Sequence, residues 1–154
     1  MTMNRQWLLK ARPHGMIGPD NFEYTETPIP QIADGEILVQ NQYLSFDPTQ
    51  RNWMVDRPGY LPPVGIGEVM RAGSVSEVVE SKHPDFKPGE LVQTTGCWQD
   101  FAVVAPGQGP MGVNKLPPGV SPEMMLSILG ITGMTAYFGL LEHGQPEGGE
   151  TVLV

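Results

Sequence analysis

Cysteine is nearly missing from this chain. Cys97 is the single one in 154 residues, which excludes an internal disulfide framework and a multi-cysteine zinc site. Histidine is scarce as well. His14, His83 and His143 are the three present, and none stands at metal-ligand spacing from a second histidine or a carboxylate. No metal is expected. Positive charge is short: nine Lys and Arg stand against 17 Asp and Glu, for a net charge of −8. That balance argues against nucleic acid and anionic membrane surfaces as partners. No apolar run approaches the ~20 residues that cross a bilayer. The N-terminal MTMNRQWLLKARP has no secretory apolar core of useful length. A soluble, cytoplasmic protein is the expectation.

Glycine and proline are plentiful, at 19 and 16. They are spread along the chain and interleaved with apolar runs, so they punctuate short strands and do not mark disorder. The pattern predicts strands near 4–9, 21–26, 36–46, 65–79, 90–95 and 99–105, with Trp7 as the anchor of the first. Glu36–Phe46 is the clearest. Ile37, Val39 and Tyr43 are expected on one face and Leu38, Gln40 and Leu44 on the other. Helices are predicted near 122–130 and 133–143. Ser121 is the expected N-cap of the first, with Pro122 at its first position and Glu123 in its first turn. The fold class is therefore mainly β with C-terminal helices, a barrel or sandwich. Gly65-Ile66-Gly67-Glu68 is not a phosphate loop, because Met70 stands where the third glycine belongs and no βαβ context surrounds it.

Two stretches carry the functional reading. The first is Ser45–Tyr60, SFDPTQRNWMVDRPGY. Asp47 is placed to cap a short helix opened by Pro48, and Asp47 and Arg51 are four apart, within pairing reach. Phe46, Trp53, Met54 and Tyr60 crowd the segment with apolar and aromatic surface. They are either the wall of a pocket or a hydrophobic cluster under a long loop. The second is Ser127–Val154, SILGITGMTAYFGLLEHGQPEGGETVLV. Ile131, Met134, Phe138 and Leu141 recur at helical spacing. Gly144 is positioned to end the helix, with Pro146 two residues beyond it. Thr151–Val154 reads as a strand buried on both faces. Cys97 has no histidine near it in sequence and reads as a buried bystander.

The run LGITGMTAYFGLLEHGQPEGGETVLV resembles the segment joining the two domains of medium-chain dehydrogenase/reductases. The similarity is to the zinc-free branch of NADPH-dependent enone reductases, which includes prostaglandin, alkenal and curcumin reductases. Leu44, Ser45, Asp47, Pro48 and Arg51 match that branch's LS-x-DP-x-x-R motif, while Thr49 stands where an aromatic residue is common. The resemblance implies a GroES-like, partly open β-barrel over 1–130. Residues 131–154 would then be the connecting helix and first strand of an α/β Rossmann domain, making the chain the N-terminal portion of a longer enzyme.

The resemblance further implies NADP(H) as cofactor and no metal. Gly67 and Phe46 stand where the zinc-dependent relatives place ligands. Pro48, Thr49, Met134 and Thr135 are implied to meet the nicotinamide, and Phe46, Trp53 and Tyr60 to line the substrate pocket. For Thr135 a second reading stands beside this one: its hydroxyl bonded back to a carbonyl one turn earlier. No residue is assigned as catalytic, and Tyr60 and Tyr43 are the fallback proton donors. The implied reaction is hydride reduction of the C=C bond of an enone or enal, by a homodimer when full length. A quinone reductase of the same superfamily and a non-enzymatic β-barrel assembly module are the alternatives.

Overall fold

The computed structural model describes residues 2–108 and 112–153. Two antiparallel sheets build the body. Strands β1 (Met3–Leu9) and β2 (Phe22–Pro28) form the smaller one. The larger has five strands: β3 (Ile37–Leu44), β4 (Ser74–Ser81), β5 (Leu91–Thr94), β6 (Phe101–Val104) and β7 (Asn114–Lys115), in the order β6-β3-β4-β5-β7. β1 ties the two sheets together. Its Trp7 N–H donates to the Trp98 carbonyl at 2.9 Å, and its Leu9 N–H donates to the Glu68 carbonyl at 2.9 Å. Single bridges at Gln6–Gln99 and Leu8–Val69 complete a partly closed barrel.

Alternation along β3 explains the core. Ile37 and Val39 pack inward with Val78, Val92 and Ala102. Leu38 faces the other way, against Ile32 and Phe101. A third cluster joins Leu9, Trp53, Met54, Val64 and Met70 beneath the loop that follows β3. Tyr43 leaves the expected inward face, because the β3–β4 register shifts between Asn41 and Tyr43, and one extra residue in a ladder moves side chains to the other face. Asn41 uses that irregularity. Its amide donates to the carbonyls of Gly96, Cys97 and Gln99, at 3.1, 3.1 and 2.6 Å. Ser76 donates back to Asn41 Oδ1 at 2.6 Å. This polar knot holds the turn carrying Cys97, whose φ of +61° is left-handed.

Several expectations are corrected. Trp7 is not an anchor: it is 46% exposed, against buried Asn4 and Leu9 on the same strand. No strand spans 65–79. Gly65–Gly73 is irregular apart from the bridge at Val69, and regular pairing starts at Ser74. Gly67 has a φ of +84°, and Glu68 Oε2 accepts the Gly65 N–H at 2.7 Å, so this stretch is a turn.

Helices α1 (Thr49–Trp53), α2 (Pro122–Leu126) and α3 (Ile131–Tyr137) are short, and a π-helical segment Phe138–Gly144 continues α3. It stops at Gly144, as expected, but the left-handed residue of the stop is the one after it. Gln145 takes the left-handed conformation at φ +46° and donates its N–H to the Leu140 carbonyl at 2.9 Å, five residues back. Thr151–Leu153 forms no strand and is exposed, with no neighbouring strand to pair with. Val154, the last residue of the expected strand, and residues 109–111 of the 107–119 connector lie outside the described residues.

Candidate functional site

The site grows from the end of β3. Ser45 Oγ donates to Asp47 Oδ2 at 2.7 Å. Gln50 Nε2 reaches back to the Ser45 carbonyl at 2.6 Å, and the Gln50 N–H to the Asp47 carbonyl at 3.0 Å. These bonds curl the chain so that Pro48 and Thr49 face outward at the start of α1. Asp47 is not a side-chain cap, since its carboxylate is taken by Ser45. Nor does Arg51 pair with Asp47. Its Nη2 donates to the carbonyls of Pro13 and Gly15, at 3.4 and 3.2 Å, and so pins the 12–16 turn. Trp53 is buried below, with Tyr60 edge-on at 6.5 Å and the Arg71 guanidinium 5.3 Å over its ring.

The opposite wall is the α2–α3 junction. Ser121 caps α2 by accepting the Met124 N–H at 3.3 Å. The Glu123 carboxylate beside the Tyr43 hydroxyl holds the Tyr43 pKa above its ordinary value. Glu123 is held below the usual carboxylate range by its own backbone N–H, then by Ser121 and Tyr43. Gln93 Nε2 donates to the Met125 carbonyl at 3.4 Å. α2 is thus fastened to β3 and β5. Gly130 and Gly133 let α3 start directly against this backbone, since a Cβ at either would overlap the carbonyl of Met125 or Ile128.

Between the two walls lies a cavity of about 640 Å³. Pro48, Thr49, Trp53, Tyr60 and Thr135 all line it, together with Gln93, Thr132 and Ala136. Two expected members are not there. Met134 is exposed outside the cavity, and Phe46 lines a neighbouring cleft with Trp98. Thr135 Oγ1 donates to the Ile131 carbonyl at 2.6 Å. Its proton is therefore committed to the helix, while its lone pairs remain free to accept a donor from the cavity. Among the described residues no three His, Cys, Asp or Glu side chains could hold a metal together, and no helix is long and apolar enough to cross a membrane.

The family model described as the N-terminal domain of oxidoreductase matches residues 5–113. The chain belongs to this oxidoreductase family. This places it in the medium-chain dehydrogenase/reductase superfamily, and its relatives there include curcumin and prostaglandin reductases. It is 44% identical over 151 residues to the NADPH-dependent curcumin reductase of Escherichia coli, covering 98% of this chain and 43% of that protein. It is 34% identical over 158 residues to prostaglandin reductase 1 of Rattus norvegicus, covering 100% of this chain and 45% of that one. The crystal structure of CurA in complex with NADPH from Vibrio vulnificus matches with a TM-score of 0.84 at 41% identity, over 95% of this chain and 42% of that one. The chain thus spans less than half the length of these relatives.

The oxidoreductase domain's cavity includes residues that reading the sequence missed. Thr135 and Ala136 follow Thr132 at spacings of three and four, which puts all three on one helix face, and this stripe of small residues was a readable signal. Gln93 gave none, being an outward polar residue on a short strand.

Proposed function

We propose that this chain is the substrate-side portion of an NADPH-dependent reductase of α,β-unsaturated ketones or aldehydes. Residues 1–130 form the GroES-like catalytic domain, and 131–154 lead into a dinucleotide-binding domain. The cavity between the Pro48–Trp53 loop and the Thr132–Ala136 face carries this reading, taken with the similarity to NADPH-dependent reductases. The fit to a nicotinamide is physical. Gly130, Thr132, Thr135 and Ala136 present no bulky side chain to the slot, leaving room for a flat ring.

Bound NADPH supplies the hydride. The chain's own residues would do the rest. Pro48, Thr49 and Thr135 border the ring, with the Thr135 oxygen placed to accept an amide N–H. Trp53 and Tyr60 form an apolar wall that keeps water from the reacting bond and orients the alkene. No step needs a metal, in line with the zinc-free branch. The full-length protein is proposed to be a cytoplasmic homodimer.

The test is an assay of NADPH oxidation, using a protein that runs through the dinucleotide-binding domain its relatives carry, against a panel of enones, enals and quinones. Turnover of enones and enals with a saturated carbonyl product supports the reading. Turnover of quinones alone overturns it.

A further inference from the structure

Gln93 lines the large cavity and has no part in the reduction proposed for it. It is half-buried on β5, between Val92 and Thr94, which are both buried. Strand alternation turns it the other way from these two, towards the cavity. The end of its side chain is fixed by one bond. Nε2 donates to the Met125 carbonyl at 3.4 Å. That carbonyl is the group a Cβ on Gly130 would strike, and Gly130 is itself part of the cavity lining. The amide therefore ends against the α2–α3 junction, on the wall opposite the Pro48–Thr49 loop. A bond of this length is at the outer limit for N–H···O, and it uses one of the amide's two hydrogens. The second hydrogen makes no bond to another described residue.

Other donors in the cavity are spoken for or badly placed. Ser45 gives its proton to Asp47, and Thr135 gives its own to the Ile131 carbonyl. Asp47 offers only lone pairs. The Trp53 indole N–H has no acceptor, but it is sealed beneath the wall. Tyr60 and Thr132 are exposed and Thr49 stands at the outward start of α1, so water competes for their hydroxyls. A conjugated carbonyl brings one strong acceptor, its oxygen. Against the Asp47 carboxylate that oxygen meets like charge. Against Gln93 it meets a neutral donor already anchored by its other hydrogen. Such a donor also draws electron density along the conjugated system, away from the carbon that would receive hydride.

We propose that Gln93 is the carbonyl-binding residue of the cavity, its second amide hydrogen donating to the ligand's carbonyl oxygen. The choice of a conjugated carbonyl as ligand rests on the reductase reading. The hydrogen bond itself is measurable by binding alone.

4-Dimethylaminobenzalacetone is a coloured enone whose absorption moves to longer wavelength when its oxygen accepts a hydrogen bond. The diene with a methylene in place of that oxygen has the same shape and no acceptor. Each is titrated into the 154-residue chain at low concentration, and into Gln93→Leu and Gln93→Glu. The second variant keeps the size of the side chain and replaces its donors by lone pairs. Loss of one hydrogen bond should lower the enone-to-diene affinity ratio about five- to tenfold in both variants. The bound enone should also absorb at shorter wavelength in Gln93→Leu than in the unaltered chain. A purely structural role, through the Met125 bond, would weaken both ligands alike. An unchanged affinity ratio, an unchanged band position in Gln93→Leu, or no saturable enone binding by the unaltered chain would each overturn the proposal. The reductase reading is decided by turnover in the longer protein, and no measurement here uses turnover, so the two can fail separately.

Discussion

A methyl group at Gly133 would overlap the Ile128 carbonyl and backbone, whereas one at Gly139 would meet nothing within 4 Å. The two substitutions should therefore have opposite signs. Gly133→Ala should cost about 1–3 kcal/mol, because the first turn of α3 must lift off the end of α2. Gly139→Ala should be neutral or stabilise by up to about 1 kcal/mol, by lowering the entropy of the unfolded chain. Urea denaturation of the three proteins decides it, and equal midpoints would show that the α2–α3 junction yields freely. Acid stability is also set residue by residue. The Arg5 hydrogen bond at 2.6 Å holds the Asp100 carboxyl below its usual range. Lys115 at 2.8 Å does the same for Glu90. A carboxylate whose folded pKa is depressed contributes stability above its unfolded pKa and loses it as pH falls through the folded one. Melting temperature should thus drop as pH falls below about 4, and Asp100→Asn should flatten part of that slope. A Tm profile unchanged by the substitution would remove the Arg5–Asp100 pair from the account.

At the level of elements, α2 has only five residues and cannot hold a helical turn by itself. Its Ser121 cap, the proximity of Tyr43 to Glu123 and the Gln93 amide keep it against the barrel. Ser121→Ala should cost about 1 kcal/mol. Tyr43→Phe should raise amide exchange in 122–126 while sparing β3 and β4, and unchanged exchange there would show that the tyrosine hydroxyl does not hold the helix. The folded Tyr43 pKa is raised, so its contribution is complete below the unfolded value near 10 and fades as pH rises through the folded one. Legibility also differed by element. β3 was readable because Ile37, Leu38 and Val39 are buried against different clusters on its two faces, which leaves a continuous apolar run in the sequence. The 65–73 turn was not, because apolar residues there reach the core one at a time from an irregular backbone, which mimics a strand's composition without its pairing. Of the cavity's lining, Pro48 and Thr49 were readable because a motif fixes the backbone there. Met134 lies off the cavity because it sits ~200° around the helix from Thr132, on the side away from Thr132, Thr135 and Ala136. Phe46 lies off it because the β3 register shift and the turn that follows send that ring to the other side of the loop.

The whole molecule leaves one side uncovered. Ile131, Met134, Tyr137, Phe138, Leu140 and Leu141 are all exposed along α3 and its π-helical continuation, and Leu153 is 96% exposed beyond them. A continuous apolar stripe of this kind is rare on a monomer and drives association. The 154-residue chain should therefore self-associate, seen as concentration-dependent sedimentation and binding of an apolar dye. Phe138→Glu combined with Leu141→Glu should shift it towards monomer. The same architecture forecasts weak cofactor affinity. Every ladder among the described residues is antiparallel, so no βαβ unit offers a glycine-rich turn and helix N-terminus to the pyrophosphate. The net charge of −8 adds a repulsive field against a polyanionic cofactor. Among the described residues nothing grips the phosphates, which supply most of the hold in such a unit. NADPH should bind the 154-residue chain no more tightly than millimolar, with weakening on removal of salt, because screening relieves the repulsion. Calorimetry on the dispersed double variant measures this free of self-association. A micromolar constant would mean that residues on the barrel itself hold the phosphates, against the proposed split between the barrel and a dinucleotide-binding domain.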